Sequence, residues 1–329
     1  MPKIKVGDVA LVDNGPSPSV RIAVKDAIVD VVLCLTGSLV VSSALTLIED
    51  DILNLVKRVV FLLGGKPLRT FGDNSRYGSA FRMLSLVHNR LWYGVLPDHS
   101  APATGVATNA FRATVSVPFR LSDLLFRGVP KVGRNITAML SGAQELEMVV
   151  DWGTTSDIFS AGAATFLDVK IEVIAVTDPS LNRLPRDARM LLREETQNLG
   201  VGAGANTAEV LDLNRRGQEP GMFVSVVDNS LRNDALVNRV QVKGNLSETL
   251  LDESWAALRA ESRARSGLQV ALPTGVAAAW FDEDGDLSGA VNLDDPAAVK
   301  SFQAILDRDA GTGTYKVQAH HVHLDPLDS

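Results

Sequence analysis

The chain is short of several things at once. Its 329 residues hold one cysteine, three tyrosines and four tryptophans, and aromatics make up only 5%. A single thiol, Cys34, can close no intrachain disulfide. It sits in an apolar run and reads as a small buried hydrophobe. Basic residues are in deficit, 32 Lys and Arg against 39 Asp and Glu, for a net charge of −7. A nucleic-acid binder would need a basic face, so no direct nucleic-acid partner is expected. Met1–Asp8 lacks the apolar core of a secretion signal. There is no G-x-S-x-G elbow, no P-loop and no Cys/His zinc spacing. A chain of this length without a recognisable site leans towards a structural or binding role, with neither catalysis nor a cofactor expected.

What the chain does have is apolar residues of one kind. Nearly half is hydrophobic, at 46%, supplied by Val, Leu, Ala and Ile, a mix that suits packed β-sheets. The length suits two domains. Val31–Ile48 carries no charge and touches the length of a membrane span. However, Gly37 and Ser38 fall at its middle among β-branched residues, so it reads as two strands, or one strand and its bend.

Two stretches echo each other. Leu55-Val56-Lys57-Arg58-Val59 and Leu236-Val237-Asn238-Arg239-Val240 both read L-V-x-R-V. Each continues as a strand into a glycine-containing turn and then a segment of helical spacing. Internal repeats of this kind are sought before other assignments.

Residues 1–19 read as a turn-rich arm. Val20 to Val41 is strand material, dense enough from Ile28 to Leu35 for a strand covered on both faces. A hairpin is expected at Gly64-Gly65. Asp73 to Leu91 has helical spacing through Tyr77, Phe81, Leu84 and Val87. Phe111 to Phe119, Asn135 to Leu140, Glu145 to Trp152 and Phe166 to Val176 read as strands. Arg183 to Leu199 reads as a short linker helix, and Gly200 to Asn206 as a flexible connection. Thr207 to Leu213 and Met222 to Val227 are then strands. Ser247 to Ala264 is a helix, and four further strands follow: Leu268 to Leu272, Val276 to Phe281, Val299 to Leu306 and Thr314 to Leu324. The expected division is an arm over 1–19, a first domain over 20–178, a linker with a short helix over 179–206, a second domain over 207–325 and a tail over 326–329. Each half has about eight strands with one helix after the L-V-x-R-V strand. That pattern suggests an all-β protein of two tandem eight-stranded sandwiches, most simply jelly rolls.

Three clusters carry chemistry on paper. On a strand, His321 and His323 share a face and could hold one metal, but no third histidine follows them. The competing reading makes them the polar face of the last strand. Asp282, Asp284 and Asp286 flank Gly285 in an acidic turn that lacks the order of an EF-hand, so it is a hairpin turn or a weak calcium site. Gly200-Val201-Gly202-Ala203-Gly204 lacks the preceding strand and following helix of a phosphate-binding loop.

With the halves side by side, the chain resembles the double jelly-roll major capsid proteins of tailless icosahedral viruses, notably bacteriophages with an internal membrane. The resemblance rests on Ile22 to Leu47 followed by Leu55 to Thr70. It rests also on Leu272-Pro273-Thr274-Gly275-Val276-Ala277-Ala278-Ala279-Trp280-Phe281 with Asp284 to Ala290, and it is one of arrangement over residues 20 to 325. It implies a structural subunit in a virion shell, made in the host cytoplasm, without catalysis or cofactor. Three copies would form a pseudo-hexagonal block, with minor capsid and vertex proteins and the internal membrane as further partners. Arm and tail would be clips to neighbours, and the loops at Trp92 to Thr108 and Asn214 to Gly221 would face outward. Two rivals stand beside it: a glycan-binding β-sandwich protein with Trp92-Tyr93 as its sugar platform, and a jelly-roll metalloenzyme using His321 and His323.

Overall fold

A computed structural model describes residues 1–73, 79–86, 98–119, 146–180, 190–202, 206–213, 215, 217–228, 231–245, 248–266, 272–281, 291–293, 300–310 and 315–326. The first half runs β1 (Lys3–Ala10), β2 (Val20–Arg21), β3 (Ala27–Leu47), β4 (Val56–Leu63), β5 (Lys66–Phe71), α1 (Ala80–Met83), β6 (Asp98–Ser100), β7 (Thr108–Pro118), β8 (Leu146–Trp152) and β9 (Phe159–Asp178). The second runs β10 (Met190–Gly202), β11 (Asn206–Asp212), β12 (Gln218–Asp228), β13 (Leu231–Arg232), β14 (Val237–Gly244), β15 (Glu248–Ser254), α2 (Trp255–Ser266), β16 (Val276–Trp280), β17 (Val291–Asn292), β18 (Phe302–Arg308) and β19 (Tyr315–Pro326).

The pairing repeats. Among the described residues, and leaving aside β6, β13 and β17, which fall outside the repeated order, each half contributes eight strands in two sheets. In the first, one sheet is β1-β9-β3-β7 and the other β2-β8-β4-β5. In the second, one sheet is β10-β19-β12-β16 and the other β11-β18-β14-β15. Ranked along the chain, both halves have first-last-third-sixth facing second-seventh-fourth-fifth, the strand order of a jelly roll. The echoed L-V-x-R-V segments enter β4 and β14, the fourth strand of each. The helices α1 and α2 both lie between the fifth and sixth strands, one strand later than the echo itself.

Alternation explains most strands. In β7, Phe111, Ala113, Val115 and Val117 are buried, while Arg112 is exposed and Thr114 and Ser116 are half-buried. The run expected to be covered on both faces alternates too: Val31, Leu33 and Leu35 are buried, Val32 and Cys34 only half-buried. Val31–Ile48 is neither a span nor two strands. Val31 to Leu47 belongs to the single strand β3, whose register against β9 slips at several points, one of them between Thr36 and Ser38. Gly37 sits at that slip because a Cβ there would lie 2.6 Å from Val169 Cγ2. Among the described residues no helix is long and apolar enough to cross a membrane. Gly64 and Gly65 make the expected β4–β5 hairpin, both with positive φ, as its tight turn requires.

Three local expectations were wrong. Residues 1–19 are not all arm. Lys3–Ala10 pairs antiparallel with β9, with Lys170 Nζ 2.9 Å from Asp8 and Lys5 Nζ 3.0 Å from the same carboxylate. The edge of β9 offers backbone partners that a local reading cannot see. The linker helix is also absent from the described residues. From Met190 through Gly202 the chain is strand β10, held by β19 through Pro326, so neither Gly200-Val201-Gly202 nor Pro326 is a free connection or tail. Leu191 and Leu192 have helical spacing, but sheet partners satisfy this backbone and override it. Finally, Glu248–Ser254 is strand β15, and the helix starts at Trp255, where Ser254 Oγ accepts from Ala257 N at 3.2 Å and caps it. Of the helix expected over Asp73 to Leu91, the described residues 80–86 are helical and open with α1. Ser79 caps α1 and at the same time donates to Val56 O at 2.9 Å, tying the helix start to β4. Asn135 to Leu140 and Leu268 to Ala271 lie outside the described residues.

Two cores result. One fills the first sandwich and takes in Phe223, Leu272, Val276, Ala278 and Val322 from the second half; the other fills the second sandwich around Val224, Val242, Leu258, Ala304 and Val317. The sheet containing β12 and β19 is therefore covered on both faces. Each fully buried Leu, Val or Phe contributes about 1.5–3 kcal/mol.

Candidate metal centre at the junction of the two sandwiches

The two sandwiches share hydrogen bonds as well as core. β10 pairs parallel with β5 at one register point, Glu194 opposite Arg69, so β2-β8-β4-β5 and β10-β19-β12 form one continuous sheet. Both side chains at that point are fully buried. Arg69 Nε donates to Glu194 Oε2 at 2.6 Å, and Arg69 also donates to Pro118 O. The guanidinium lies 5.1 Å from the Phe71 ring centroid and 4.7 Å from that of Phe119. A charge taken this far from water survives only when paired and hydrogen-bonded. Further contacts cross the same boundary: Arg232 to Glu49 at 3.1 Å and to Asp50 at 3.2 Å, and Lys316 to Asp73; Arg82, from the first half itself, also reaches Asp50 at 2.9 Å.

β19 distributes its histidines across this junction. His320 faces the first sandwich, its ring stacked on Phe71 at 5.4 Å and its Nε2 3.6 Å from Glu194 Oε1. His321 and His323 point the other way, as their spacing requires, with rings nearly parallel at 6° and centroids 5.6 Å apart. They are buried, which corrects the reading of a polar outer face; the face continues the core side of Tyr315, Val317 and Ala319. Buried Glu219 on β12 joins them. His321 Nδ1 is 2.8 Å from Glu219 Oε1, and His323 Nδ1 is 3.8 Å from Glu219 Oε2. Glu195 on β10 reaches His323 Nε2 at 3.5 Å. One ligand atom from each of Glu219, His321 and His323 lies within 4.8 Å of the others.

Of the other candidates, Asp282, Asp284 and Asp286 lie outside the described residues, as do Trp92-Tyr93 and His88. His99 is elsewhere, 2.9 Å from Asp51. Sequence reasoning missed Glu219, Glu194 and Arg69. Glu219 fell in a stretch, Asn214 to Gly221, expected to face outward; its residues from Gln218 onward are instead in β12. Its signal was faint: an acidic residue three positions before the apolar run that opens at Met222.

No protein-family model matches the chain, and no curated protein matches it in sequence. Solved structures do. The chain is similar to the major capsid protein of Sulfolobus turreted icosahedral virus, with a TM-score of 0.74 at 15% identity over 98% of this chain and 96% of that one. The fold is the double jelly roll. The same double jelly roll relates the chain to VP54 of PBCV-1 (TM-score 0.64, 12% identity, 98% of this chain and 92% of that one). It relates it also to the major capsid protein P2 of bacteriophage PM2 (TM-score 0.56, 13% identity, 97% of each). Identities this low carry the architecture, and the double jelly roll is independently legible in the repeated strand order.

Proposed function

We propose that this double jelly-roll chain is the major coat subunit of an icosahedral virus, assembling with copies of itself and carrying out no catalysis. The observation that carries the reading is the duplication: two sandwiches of identical strand order in one chain, locked by a shared sheet and a buried ion pair. Such a subunit is a rigid block with two similar sides. Three copies offer six similar sides and tile a facet with nearly equivalent contacts, so a homotrimer is the expected unit. The solved structures similar to this chain include proteins named as major capsid proteins, which supports the same role. We place the boundary between the two units in 179–189, after β9 and before β10. Virion location, synthesis in a host cytoplasm, minor and vertex partners and an internal membrane follow from the same reading, as does a phage host, although the similar viruses are not confined to phages.

Light scattering on the purified chain tests it. A stable trimer, or shells in negative stain, is the expected result. A monomer that retains glycans on an array would overturn it.

A further inference from the structure

We propose that Glu219, His321 and His323 form a structural site for a divalent transition cation of the zinc type, inside the second sandwich. The donors are a carboxylate and two imidazoles. That set suits zinc, cobalt or nickel rather than calcium or magnesium, which take oxygen. Both Nδ1 atoms face Glu219, at 2.8 and 3.8 Å. These separations bracket the roughly 3.3 Å between neighbouring ligand atoms on a tetrahedron with metal–nitrogen bonds near 2.0–2.1 Å.

The cluster is poorly explained as an ordinary core. Polar groups sealed from water are normally hydrogen-bonded. Here all three side chains are almost fully buried, yet Glu219 Oε2, which faces the two imidazoles, has no hydrogen-bond partner. A cation between the carboxylate and the two imidazoles engages the Glu219 oxygen and binds each ring in the tautomer that leaves Nδ1 unprotonated. Glu195 supplies the outer support: its carboxylate lies 3.5 Å from His323 Nε2, on the side away from Nδ1, where an outer carboxylate orients a metal-binding imidazole. Glu195 is also part-exposed, which marks a route for the ion. The ligands come from β12 and β19, and the support from β10, so a bound ion would clamp three adjacent strands on the face opposite Arg69 and Glu194. This site is independent of the coat assignment and would stabilise the subunit whatever it builds.

The test is cobalt titration of the full chain, stripped of metal with a chelator and dialysed. One Co2+ per chain is expected, with the visible absorption of a four-coordinate site, displaced by one equivalent of Zn2+. Glu195→Gln should weaken binding roughly tenfold or more. His321→Ala and His323→Ala should abolish the signal, while His99→Ala leaves it unchanged. X-ray absorption on the cobalt-loaded wild-type chain should show two imidazole ligands, a result that does not depend on any variant folding. Absence of a one-to-one complex in the wild type overturns the proposal. So does an all-oxygen shell, or binding that persists in His321→Ala.

Discussion

Replacing Arg69 by methionine strips the positive charge from the seam between the two sandwiches and leaves Glu194 buried there. Glu194 is fully inaccessible, with the imidazole of His320 3.6 Å away. Breaking a buried pair from one side costs about 3–5 kcal/mol, because the remaining charge has lost its compensation. Arg69 also lies over the Phe71 and Phe119 rings, contacts worth about 0.5–2 kcal/mol each, which methionine replaces only in part. Set against a total stability of about 5–15 kcal/mol, the single substitution should remove a large share. The double variant Arg69→Met with Glu194→Leu removes both charges and fills the space with apolar atoms, so it should recover to within about 1–2 kcal/mol of wild type. Urea unfolding followed by tryptophan fluorescence reads this, with midpoints compared directly because two sandwiches need not unfold in one step. If Arg69→Met leaves the midpoint unchanged, or if the double variant is worse than the sum of its parts, the ion pair does not hold the junction.

Two further expectations follow from single side chains. Ser262 on α2 accepts from Ala278 N at 2.8 Å and donates to Leu258 O at 2.7 Å, closing the free edge of β16. Ser262→Ala should cost about 1–3 kcal/mol in thermal or urea unfolding by orphaning that buried N–H, and an unchanged stability would refute the edge-closing role. Asp30 donates nothing when ionised: its Oδ2 accepts from Ser116 Oγ and its Oδ1 is sealed with no hydrogen-bond partner. Burial holds its carboxyl above the usual range. A carboxyl raised on folding favours the folded state below its unfolded value, about 3.9, and that advantage is lost as pH rises through its folded value. Asp30→Asn stays neutral throughout, so its melting temperature should gain on wild type between acid and neutral pH; a constant difference would contradict the shift.

Legibility in the sequence followed hydrogen-bond range. The β4–β5 hairpin was readable because Gly64-Gly65 is a local instruction, and β7 because Phe111, Ala113, Val115 and Val117 mark one face without help from elsewhere. The echo at Leu55 and Leu236 pointed to a duplication that strand order then placed at the fourth strand of both sandwiches. β1 and β10 were misread because their backbone partners, β9 and β19, lie far along the chain. For the candidate site, the His321–His323 spacing was visible but its burial was not. Glu219 was invisible as a ligand, since the contact spans a separation of 102 residues.

Composition, alternation and the internal echo therefore determined by themselves that this is an all-β chain written twice, because side-chain period and turn chemistry are local properties. Tertiary structure decided which strands are neighbours, that one sheet runs through both sandwiches, and that the last strand turns its histidines into two interiors. Those outcomes depend on a long-range register and on which charges end up sharing a dry space. The same charged and imidazole residues would be unremarked on an outer face; buried at the seam, they must be paired, and that necessity makes Arg69, Glu194, Glu219, His321 and His323 the informative residues of this protein.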